Sequence, residues 1–84
     1  MIILLRDLDD ISATINRGSS FRLIIDLADH EICSYSYEET VLVKSGKISL
    51  SNGYICNMYT VPETDAAAGV RAAAVTVSGA SGRS

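Results

Sequence analysis

Eighty-four residues suffice for one hydrophobic core and not for two. With 48% apolar and 20% charged residues the composition is that of a globular protein, not a disordered one. The longest apolar run, residues 1–5, is far short of a transmembrane helix, and a net charge of −3 makes the chain a poor holder of nucleic acid, which needs clustered Lys and Arg.

The run at residues 1–5 has no basic segment before it and meets Arg6, Asp7, Asp9 and Asp10, so it is a poor signal peptide and the expected setting is cytoplasmic. Cys33 and Cys56 are too few for a disulfide framework, and with His30 as the single histidine they fall short of a zinc site. They read as free, buried or half-buried thiols. Charge is uneven along the chain. Residues 1–43 hold eight acids against three bases, a net −5, whereas residues 44–84 hold two acids against four bases, a net +2. An acidic half of this kind suits a basic surface on a protein partner.

Taken in order, residues 2–17 fit an amphipathic helix. Leu4, Leu8, Ile11 and Ile15 recur at helical spacing, Asp7, Asp9 and Asp10 lie off that stripe, and Gly18 stands as a stop. A competing parse makes residues 1–5 a strand and starts the helix at Asp7. FRLIIDLA then alternates as a half-buried strand, and ICSYSY reads as its antiparallel return across an Asp29-His30-Glu31 loop. That register puts Tyr35 and Tyr37 inward, beneath the helix. Ser45-Gly46 and Asn52-Gly53 read as two-residue hairpin turns, the second of type I′ with φ > 0 at both central residues. Both turns place Val41, Val43, Ile48, Leu50 and Ile55 on one face. Cys33 and Cys56 fall on opposite faces in this register, and so unbonded. Pro62 ends the last strand, residues 64–74 are permissive of a weak helix, and residues 78–84 have the composition of a flexible tail.

The expected fold is therefore α+β: an N-terminal amphipathic helix on an antiparallel meander of about five strands. A weak C-terminal helix closes a single domain over residues 1–77, followed by the tail.

Catalytic chemistry is not in evidence. His30 has acidic neighbours, but adjacent residues in a turn diverge and no nucleophile elbow exists. Gly46-Lys47 lacks the upstream glycine of a phosphate loop. Asp7-Leu8-Asp9-Asp10 lacks the glycine and terminal Glu of a calcium loop, and Glu38-Glu39 face opposite ways on a strand. No cofactor is implied. The leading expectation is a non-enzymatic inhibitor or regulator that meets a basic protein partner through Asp7, Asp9, Asp10, Glu38 and Glu39. Tyr54 and Met58 supply an aromatic and a soft apolar anchor. Small acidic proteins made by phages against host defences, such as anti-CRISPR and anti-restriction proteins, offer an analogy of size and charge alone. The alternative is an assembly subunit that self-associates through an open strand edge.

Overall fold

The computed structural model describes residues 1–35, 38–57 and 69–83. Among these residues are eight strands: β1 Ile2–Ile3, β2 Ala13–Asn16, β3 Arg22–Asp26, β4 Glu31–Ser34, β5 Val41–Lys44, β6 Lys47–Asn57, β7 Val70–Arg71 and β8 Ala74–Arg83. Every pairing between them is parallel. Partners lie 23 residues apart where Ile2 meets Ile25, and 29 apart where Val41 meets Val70. A chain whose successive strands pair only with the strand about one fixed interval later is winding, with each turn stacked on the last. That is a parallel β-helix.

Four coils can be traced. On one face β1, β3, the first half of β6 and the first half of β8 lie side by side. On a second face Leu8 bridges to Ile32 in β4, which pairs with the second half of β6 and, beyond it, the second half of β8. The third face is β2, β5 and β7.

Inward positions form columns along the axis. One runs Ile2, Ile25, Leu50, Val77; another runs Leu8, Ile32, Ile55, Gly82; the third face contributes Ala13, Val41, Val70. Leu27, Ile48, Ile55, Val43 and Val70 are fully buried among them. Burial alternates along β3, β5 and the first half of β6, as a pleated surface buried on one side demands.

The corners explain the turn-like dipeptides. Asn52 has φ 58°, and the chain bends there but does not reverse, so β6 continues through it to Asn57. Gly79, at φ 68°, does the same in β8 one coil later. In the coil before, Ala28 (φ 50°) and Asp29 (φ 66°) make the bend, with Asp26 Oδ1 accepting from the Ala28 N–H at 2.9 Å. Gly53 does not share the left-handed conformation but is constrained by space. A Cβ there would sit 2.5 Å from the His30 carbonyl oxygen and closer still to Leu27.

Several expectations are corrected. Residues 2–17 form no helix: Leu4 lies just past β1, Leu8 makes a bridge, Ile11 lies in a connection and Ile15 in β2. Among the described residues there is no antiparallel meander: β3 and β4 do not pair with each other, and both pair with β6. Asn52-Gly53 and Ser45-Gly46 are corners, not hairpins. Residues 78–83, expected as a flexible tail, belong to β8. Of the expected C-terminal helix, residues 64–68 lie outside the described residues, and residues 69–74 form no helix but contain β7 and the first residue of β8. Cys33 and Cys56 are neighbours on the second face, 4.3 Å apart at Cα, and form a disulfide. The winding causes this: residues 23 apart return to the same place on the next coil.

Candidate interaction surfaces

The expected acidic residues collect on the coil's corners. Asp7 accepts from the Glu31 N–H at 2.9 Å and lies 3.3 Å from His30 Nδ1. Asp10 accepts from the Tyr35 N–H at 3.4 Å. Asp9 accepts a hydrogen bond from the Tyr35 phenol; this bond, the Asp9 charge and the nearby Glu31 and Asp10 carboxylates raise the Tyr35 pKa above its ordinary value. Glu39 pairs with Arg71 of the third coil at 3.2 Å, and its carbonyl accepts from Ser12 Oγ at 2.7 Å. Asp7, Asp9 and Asp10 thus bind the first coil to the second, and Glu39 binds the first and third coils to the second. The structure brings Asp7, Asp9 and Asp10 together around Glu31 and Tyr35. Tyr35 is 48% exposed, not packed inward. Tyr37 and Met58 lie outside the described residues.

Glu38 belongs to a different arrangement. Its carbonyl accepts from Asn57 Nδ2 at 2.8 Å, and the same amide donates to Thr40 Oγ1 at 3.2 Å. Thr40 Oγ1 donates in turn to the Cys56 carbonyl at 3.0 Å. Ser34, Thr40 and Asn57 are all fully buried. This polar knot fixes the corner between the second and third faces, where a Cβ on Gly69 would come within 2.6 Å of the Asn57 Cβ.

Tyr54, 38% exposed, stands between Glu31 and Ser81 in an outward column of the second face. With Asp29, Gly53, Gly79 and Ser81 it lines an open polar hollow of about 270 Å³. Among the described residues no group of three or more His, Cys, Asp or Glu side chains is placed to hold a metal ion. No helix among them is long and apolar enough to cross a membrane.

The two ends of the coil differ from its sides. At the first coil, Ile2, Leu4, Leu8, Ile11, Ala13 and Ile15, together with Leu23, Ile25, Ile32 and Val41 of the second coil, line an apolar groove of about 140 Å³. Leu5 is 90% exposed and Ile3 52%, with Met1 and Ile2 exposed beside them. At the last coil, β8 pairs with β6 on one side and has no strand on the other among the described residues. Its inward Val75, Val77 and Ala80 are only partly covered. No charge or proline interrupts β8 from Ala74 to Gly82. Sequence reading missed both ends. The signal that marks the last coil as a repeat is Ile48-Ser49-Leu50-Ser51-Asn52 against Val75-Thr76-Val77-Ser78-Gly79.

Compared with protein-family models, curated proteins and solved structures, the chain matches none.

Proposed function

We propose that this chain is a non-enzymatic assembly module that works through the open strand edges of its β-helix, with self-association as its form of binding. One observation carries the reading: the ten-residue edge of β8, with no strand beyond it among the described residues and no charge from Ala74 to Gly82. Protein edges are normally blunted by Lys, Pro, bulges or a covering element, and an unblunted parallel edge is a template for a further strand. Polar capping repeats keep solenoids apart, and the groove that Ile2, Leu4 and Leu8 help to line is apolar.

The regulator that docks acids on a basic partner has less to support it. Asp7, Asp10 and Glu39 are engaged across coils, and the phage-inhibitor analogy rests on size and charge, to which the fold adds nothing. A cytoplasmic setting belongs to this proposal too, and the Cys33–Cys56 bond pulls against it, since reducing compartments keep such thiols apart. The test is sedimentation velocity over a wide concentration range. Species larger than one chain, growing with concentration, are expected. A single monomeric boundary at every concentration overturns the proposal.

A further inference from the structure

We infer that the copies join head to tail, the first coil of one seated on the last coil of the next, so that the assembly is an open stack and not a closed dimer. This rests on the self-association proposed above and specifies its polarity.

The inward columns carry the argument. Ile2 heads the column that ends at Val77, and Leu8 heads the column that ends at Gly82. An incoming first coil that sets its Ile2 over Val77 therefore finds its Leu8 over Gly82 as well. It repeats the parallel coil-on-coil pairing already made three times along the first face. Like-to-like joining of two first coils would instead run the strands antiparallel, a pairing the chain uses nowhere among its described strands.

Charge selects the same polarity. Residues 1–12 hold Asp7, Asp9 and Asp10 against Arg6, a net −2, whereas β8, the last coil, holds Arg83 and no acid, a net +1. Position 83 is in register with Cys56, itself in register with Cys33, and Asp9 follows the Leu8 that bridges to Ile32. A stacked copy thus brings its position 9 over position 83 of its neighbour. Two first coils face to face would oppose three aspartates with three aspartates. A contact between unlike patches does not close on itself, so growth continues.

Complementation between end-blocked variants tests this. Ile2→Lys with Ile11→Lys places charges at the head groove; Val77→Lys with Ala80→Lys places them at the tail. Each variant alone is expected to associate at least about tenfold more weakly than wild type, because a charge forced against an apolar surface is costly. An equimolar mixture is expected to give a dimer and nothing larger, since each partner keeps one working end. That dimer also certifies that both variants are folded. Arg83→Glu is a second tail block that leaves the inward positions untouched. A tail-blocked variant that dimerises alone as well as wild type does, while the head-blocked one does not, overturns the head-to-tail polarity and leaves self-association standing. Wild type that stays monomeric removes the underlying proposal and this inference with it.

Discussion

Asn52 and Gly53 share a corner but answer to different constraints. Asn52 sits at φ 58°, a conformation Asn tolerates better than most residues. Gly53 is required because its missing Cβ is where Leu27 and the His30 carbonyl oxygen lie. Gly53→Ala is therefore expected to destabilise by about 1–3 kcal/mol through overpacking, read as a fall in the thermal midpoint. Gly18→Ala has open space around it and faces only the left-handed backbone cost, about 1–2 kcal/mol. An unchanged midpoint for Gly53→Ala would refute the close approach. Tyr35 makes a second prediction. Its phenol donates to Asp9, and ionisation would lose that bond among carboxylates, so its folded pKa is raised above the unfolded value. The associated stability is fully present below the unfolded tyrosine pKa, near 10, and is lost as pH rises through the folded one. Spectrophotometric titration should show one tyrosine ionising late, absent in Tyr35→Phe and shifted earlier in Asp9→Asn. Identical titration of wild type and Asp9→Asn would contradict the contact.

Between coils, the polar knot and the disulfide act on the same corner. Asn57→Ala withdraws a donor from the Glu38 carbonyl and from Thr40 Oγ1 in a fully buried site. A loss of about 1–3 kcal/mol is expected in denaturant unfolding, the penalty for leaving buried polar atoms unpaired. The Cys33–Cys56 bond closes a loop with a sequence separation of 23, so reduction should cost about 3 kcal/mol on the chain-entropy account. Unreduced protein should be two mass units lighter than reduced protein; equal masses would show the thiols free. These elements also show what was legible in the sequence. The alternating strands and the inward set Val41, Val43, Ile48, Leu50 and Ile55 were readable, because side-chain alternation has the same period in parallel and antiparallel sheets. Pairing was not. A left-handed residue after a strand bends a coil as readily as it closes a hairpin, and local sequence carries no sign of whether the partner lies across the turn or one coil away. Reading Leu4, Leu8, Ile11 and Ile15 as a helix failed similarly: four inward residues on three short faces mimic one stripe. Self-comparison at coil spacing, setting Glu31-Ile32-Cys33-Ser34 beside Tyr54-Ile55-Cys56-Asn57, exposes the winding. The acidic candidates were visible as charges, but their engagement across coils depends on that winding.

For the whole molecule, the stack of coils makes electrostatics directional. The first twelve residues carry a net −2 and β8 a net +1, at opposite ends of an axis whose columns begin and end in register. If copies meet head to tail, the facing charges are Asp9 and Arg83, and reversing one should weaken association while reversing both restores it. Arg83→Glu is expected to weaken association severalfold at low salt, and Asp9→Arg likewise, since like charges across an interface oppose docking. The variant carrying both changes should recover most of the wild-type association. The single variants should lose their deficit as salt rises, because the interaction is screened over about 8–10 Å near physiological ionic strength. The apolar contribution from Ile2 and Val77 does not screen, so wild type should remain associated at high salt. Sedimentation equilibrium of the four proteins at two salt concentrations gives the answer. Failure of the double variant to recover, with both single variants folded by circular dichroism, would mean that positions 9 and 83 do not face each other. The two ends would then have to meet in a register other than Ile2 over Val77.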